Sequence, residues 1–105
     1  MASRAADWIR QAERDLEHAR RSAEMGDHEW ACFAAHQAAE KALKAVLQDH
    51  GAEARGHALR SLLRGVSEAI GEELEEYEAD ARELDRHYIP TRYPNSVPEG
   101  APFEA

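Results

Sequence analysis

Two stretches of this sequence bring together side chains that can do chemistry. The first is Ala34-Ala35-His36-Gln37-Ala38-Ala39-Glu40-Lys41-Ala42-Leu43-Lys44-Ala45. On a helix, His36 with Glu40, Gln37 with Lys41, and Glu40 with Lys44 are each four residues apart, so each pair stacks on one side. The surrounding alanines keep the surface low, which would leave these polar groups facing a groove. The same spacing also fits ordinary surface pairs worth ~0.2 to 0.5 kcal/mol each, and spacing alone favours that plainer reading.

The second stretch, residues 81–95, packs Arg82, Arg86 and Arg92 with His87, Tyr88 and Tyr93 around Pro90 and Pro94. Arginines hold phosphate in a bidentate fork, tyrosines stack on bases, and histidine exchanges a proton near neutral pH. Against this stands a structural explanation: Arg and His at a helix C-terminus complement its dipole, with the tyrosines packing the following segment down. The two readings carry equal weight at this level.

Other chemistries find no support in the sequence. The six histidines are scattered, and there is no His-Glu-x-x-His motif and no cysteine pair, so no metal site and no cofactor are expected. Neither a glycine-rich phosphate loop nor a serine nucleophile elbow is present. Cys32, the one cysteine, sits among Ala31 and Phe33 and reads as a core position. A disulfide-free chain of this kind suits a reducing cytoplasm.

Helices must position these residues. The periodicity is helical throughout and no repeat is visible. Following Ser3 as N-cap, Trp8, Ile9, Ala12, Leu16, Ala19 and Ala23 form one stripe that ends near Gly26. A second helix runs from after Asp27 to His50, stopped by Gly51, and its alanines invite close approach of a neighbour. A third carries Leu59, Leu62, Leu63 and Val66. Ile70, Leu74, Tyr77, Ala81, Leu84 and Tyr88 alternate spacings of four and three, which predicts a fourth helix packed along a partner. All four prolines follow it, so residues 89–105 should be an irregular tail. The expected fold is all-α: an antiparallel, up-and-down four-helix bundle over residues 3–88 in a single domain of 105 residues.

Charge narrows the choice of partner. Residues 1–64 hold ten basic and ten acidic side chains, whereas residues 65–105 hold three and eleven and carry the whole net charge of −8. The acidic block from Glu72 to Glu83 reads as a solvated helix face. A protein that coats DNA needs clustered Lys and Arg, so that function is excluded, while a small phosphate site is not. The longest stretch without charge, Trp30 to Ala39, is too short to span a bilayer, and no signal peptide opens the chain.

The sequence Gln37-Ala-Ala-Glu40-Lys41-Ala-Leu-Lys44-Ala, followed by Leu84-Asp85-Arg-His-Tyr88-Ile-Pro90-Thr-Arg92-Tyr93-Pro94, resembles the HEPN domain. Trp8, Asp15-Leu16, Ala19, His57-Ala-Leu59 and Leu62 extend the resemblance over nearly the whole chain. It implies a helical bundle that forms homodimers, a minimal nucleotidyltransferase as partner in a toxin and antitoxin pair, and binding of a nucleotide or RNA. On that basis Gln37, Glu40, Lys41, Lys44, Asp85, Tyr88, Arg92 and Tyr93 are expected to line a polar groove. Such proteins commonly continue into a further helix, so this chain either lacks that helix or is shortened.

The resemblance also implies an alternative, a metal-independent endoribonuclease with an Arg and a His separated by four to six residues. Arg82 and His87 fit that spacing, although Glu83 follows the arginine where the ribonuclease branches usually have Asn or Asp. Arg21 and His28 fit it too. In an unbroken helix Arg82 and His87 would lie about 140° apart, so a break or a partner chain would have to bring them together. His87 would then exchange protons with the RNA 2′-hydroxyl or the leaving oxygen, and Arg82 would stabilise the phosphate. A bundle with no ligand is the third alternative.

Overall fold

The computed structural model describes residues 3–88 and Gly100. Pro90, Arg92, Tyr93 and the other residues of the expected tail, Gly100 apart, lie outside them. Four α-helices follow in order: α1 (Ala5–Glu24), α2 (His28–Asp49), α3 (Leu59–Ile70) and α4 (Glu78–Arg86), with a short 3₁₀ turn, Glu75–Tyr77, leading into α4. No strand occurs among the described residues. The all-α, four-helix expectation holds.

Helices α1 and α2 form a long antiparallel pair, and α3 and α4 pack on the distal half of α2 and on each other. Their 20 and 22 residues, at about 1.5 Å of rise each, give the pair its ~30 Å length. The contact between them is built from small residues: Ala12, Ala19 and Ser22 on α1 and Ala34, Ala38 and Ala45 on α2 are all buried. Short side chains allow the helices to approach closely, as the alanine content suggested. The larger apolar groups are concentrated at the other end, where Leu47, Leu59, Leu62, Leu63, Val66 and Ala81 form the core with Leu43, Val46, Ile70, Leu74 and Leu84 around them.

Two boundaries differ from the sequence reading. Helix α1 begins at Ala5; the Ser3 hydroxyl accepts the Ala5 N–H at 3.0 Å, one residue outside the helix's flanking Arg4. The 70–88 helix is not continuous. Ile70 is the last residue of α3, and Gly71 then turns at φ +70°, a left-handed conformation that glycine enters without a steric penalty. The Glu72 N–H reaches back to the Ser67 carbonyl at 3.2 Å, and the Ser67 hydroxyl donates to the Glu72 carbonyl. The regular spacing of Ile70, Leu74 and Tyr77 therefore crosses a helix end: Ile70 and Leu74 border one core from either side of the turn, and the half-exposed Tyr77 follows them without one helix carrying all three.

Helix α3 has no cap within its own N-terminal segment, since Ala58 precedes it. Its cap comes from α4. Asp85 Oδ1 accepts the Leu59 N–H at 2.8 Å and Asp85 Oδ2 accepts the Arg60 N–H at 3.1 Å. A carboxylate at this position satisfies two of the four N–H groups that a helix start leaves unpaired, and it faces the positive end of the helix dipole.

Candidate functional site

The polar residues of α2 are not surface pairs. His36 is fully buried and Glu40 is 5% exposed. The His36 ring lies 3.0 Å from Asp85 Oδ1 through Nε2. Because that carboxylate oxygen is an acceptor, Nε2 carries the hydrogen and donates it. On the far side of the ring, His36 Nδ1 has no hydrogen-bond partner among the described residues, and Glu40 Oε1 stands 3.9 Å away. The i to i+4 spacing thus placed His36 and Glu40 side by side without bonding them.

Glu40 is held by other groups. His57 Nδ1, from the segment before α3, lies 3.0 Å from Glu40 Oε2 and 3.1 Å from Oε1. Lys44 Nζ donates to Oε2 at 3.0 Å, as its spacing predicted. Tyr88, just past the end of α4, stacks on His36 with ring centroids 4.3 Å apart and an interplanar angle of 28°. It also faces His57 at 6.0 Å and Phe33 at 5.9 Å. Glu40, Lys44, Asp85 and Tyr88 are therefore brought together, and the buried His36 and the exposed edge of His57 complete the cluster.

Gln37 and Lys41 belong to a different face. They line a cavity of about 270 Å³ against α1 with Asp15, His18, Trp30 and Phe33. Lys41 Nζ pairs with Asp15 Oδ2 at 2.5 Å, and Gln11 Nε2 donates to Asp15 Oδ1 at 2.9 Å. The expected groove is thus divided in two by α2 itself. Arg92 and Tyr93 lie outside the described residues.

Arg82 and His87 point to different surroundings. Arg82 lines an open cavity beside the start of α3 with Arg60, Arg64 and Arg86. His87, the residue at the C-terminal boundary of α4, has its Nε2 3.1 Å from Glu83 Oε1, which also accepts from Arg86 at 2.8 Å. The helix ends one residue before His87, so the break considered from the sequence comes too late to turn the two side chains toward each other.

Cys32 is partly buried, and its thiol is pushed up from the usual range by burial first, then by the negative charges of Glu83 and Glu29. A thiol held protonated is a poor nucleophile, consistent with a packing role. No group of three or more His, Cys, Asp and Glu side chains is arranged to hold a metal ion among the described residues, and no described helix is long and apolar enough to cross a membrane.

His36 and His57 were absent from the residues expected to line the groove. The signal for His36 was present in its spacing to Glu40. His57 stood out only through the family resemblance, with no spacing to Glu40 to mark it, and it meets Glu40 because the α2–α3 connection folds back across α2.

A family model described as "HEPN domain" matches residues 5–104. The crystal structure of TT1696 from Thermus thermophilus superposes with a TM-score of 0.91 at 44% sequence identity, covering 98% of this chain and 80% of that one. The crystal structure of ST0689, an archaeal HEPN homologue, gives 0.77 at 45% identity, covering 98% and 79%. No curated protein matches.

Proposed function

The chain belongs to the HEPN domain family, and from that premise we propose that it is an interaction module: a homodimer that pairs with a minimal nucleotidyltransferase in a toxin and antitoxin system and engages a nucleotide or RNA. One observation carries the reading. An open cavity of about 500 Å³ on α2, α3 and α4 is lined by Leu43, Val46, Leu63, Leu74, Tyr77 and Leu84, with Asp80 the one charged residue on its wall among the described residues. Tyr77 is 52% exposed there. Apolar surface gathered in one place on a chain of net charge −8 is what an obligate protein contact requires. The partly buried cluster of His36, Glu40, Lys44, Asp85 and Tyr88 joins α2, α3 and α4 to one another.

The reading is preferred to a ribonuclease because, within one chain, Arg82 lines the cavity beside α3 while His87 is bonded to Glu83. Two experiments test it together. Co-expression with a minimal nucleotidyltransferase, followed by affinity purification and light scattering, should yield a complex containing two copies of this chain. A monomer that fails to retain the nucleotidyltransferase would refute the proposal. An RNA cleavage assay on the purified chain should show no activity that depends on His87; cleavage abolished by His87→Ala would establish the ribonuclease instead.

A further inference from the structure

Helices α3 and α4 each carry a pair of arginines four residues apart, Arg60 with Arg64 and Arg82 with Arg86, and all four residues line one open cavity of about 500 Å³. Like charges at this spacing destabilise a helix by about as much as opposite charges stabilise it. Here two such pairs line the same cavity, one from each helix. Arg60, Arg64 and Arg82 form no ion pair among the described residues, and only Arg86 has one, to the exposed Glu83 at 2.8 Å.

The one carboxylate on the cavity wall among the described residues is Asp85, and its oxygens are already committed to the Leu59 and Arg60 N–H groups and to His36. Its hydrogen bonds go to the helix start and the imidazole rather than to the guanidiniums. Glu73, Glu75 and Glu78 line an adjoining depression beside Arg60 and Arg64, and none of them pairs with either. The cavity therefore holds unneutralised positive charge with an acidic wall on one side. Ser61 adds a hydroxyl to its lining.

We propose that this cavity binds an oligophosphate group, with the four arginines as its ligands. Guanidinium forks match phosphate oxygens two at a time, and two pairs on adjacent helices suit consecutive phosphates better than one. The volume lies in the range of small-ligand sites. The acidic wall excludes a long polyanion that would have to run past it, so a compact phosphate chain is favoured over an RNA backbone. The site shares with the preceding reading only the chemistry of phosphate; it needs neither a dimer nor a partner chain.

Calorimetric titration of the isolated full chain with inorganic tripolyphosphate and, separately, with ATP tests this. Saturable binding of both is expected, weakening as salt is raised. Equal affinities would assign recognition to the phosphates alone, and tighter ATP binding would add a contact to the nucleoside. Arg60→Gln and Arg82→Gln, both on exposed side chains, should each weaken binding about tenfold or more. Arg55→Gln removes the same charge from an exposed arginine paired with Glu53 away from the cavity and should leave affinity unchanged. The proposal is overturned if neither ligand saturates, if Arg55→Gln weakens binding as much as the cavity variants do, or if a short RNA oligonucleotide binds while the two smaller ligands do not.

Discussion

Replacing Asp85 with alanine should remove about 1.5 to 5 kcal/mol of stability, and the structure indicates how that sum arises. The carboxylate accepts the Leu59 and Arg60 N–H groups at 2.8 and 3.1 Å, an N-cap supplied from another helix. Losing an N-cap costs ~0.5 to 2 kcal/mol. The same carboxylate accepts from Nε2 of His36, a fully buried ring. Leaving that donor unsatisfied costs a further ~1 to 3 kcal/mol. Domains of this size hold roughly 5 to 15 kcal/mol in total and shift by about 4 to 8 °C in Tm per kcal/mol, so the variant should melt at least ~6 °C lower. Urea unfolding followed by helical circular dichroism measures the loss, with an unchanged m-value showing that the transition remains two-state. Asp85→Asn should fall between the two, because the amide keeps one acceptor oxygen but turns a donor toward a donor. The His36 contribution can be separated by a double-mutant cycle with His36→Ala, where coupling of about 1 kcal/mol or more is expected. A loss below about 0.5 kcal/mol for Asp85→Ala, or additive effects in the cycle, would refute the account of Asp85 as the link between α2, α3 and α4.

Further outcomes follow from other contacts. Ala38→Leu, in the small-residue contact between α1 and α2, should destabilise by about 1 to 3 kcal/mol through overpacking, whereas Ala79→Leu on the exposed side of α4 should stay within about 0.5 kcal/mol; denaturant midpoints decide it. Glu40→Ala should cost more than Glu83→Ala, because Glu40 is buried between His57 and Lys44 and Glu83 is exposed; equal losses in thermal melts would contradict the burial argument. Cys32 yields a pH dependence. Its folded pKa is raised, so the native state binds its proton more tightly than the unfolded state. That contribution is complete below the unfolded pKa and declines as pH rises through it toward the folded value. Stability should therefore fall in the alkaline range with a slope that Cys32→Ala reduces, and native protein should react with a thiol reagent more slowly than unfolded protein at about pH 8.

How much of this was legible in advance depends on the range of the interaction. The glycines and the apolar spacing placed α2 to within a residue and the apolar face of α3, and Glu40 with Lys44 was paired correctly, because contacts four residues apart on a helix follow from its geometry. The run from Ile70 to Tyr88 misled for the same reason. A core-facing spacing continues smoothly across a turn when both sides of the turn border one core, and only the left-handed backbone at Gly71 reveals the break.

What the sequence by itself determined is the helical class, the direction each α2 side chain takes around its axis, and the family. Periodicity and local motifs carry that information without reference to any other part of the chain. Only the tertiary structure decided which neighbour stands at each direction. Gln37 and Lys41 meet α1, and Glu40, with Lys44 bonded to it, meets the segment before α3, so one motif serves two faces. Asp85 caps a helix whose start lies 26 residues earlier in the chain, and four arginines that occur as two distant pairs share one cavity. Those arrangements depend on how α3 and α4 are set against α2, which is fixed by the packing of the leucine-rich core, a cooperative property of the folded chain that no local stretch contains.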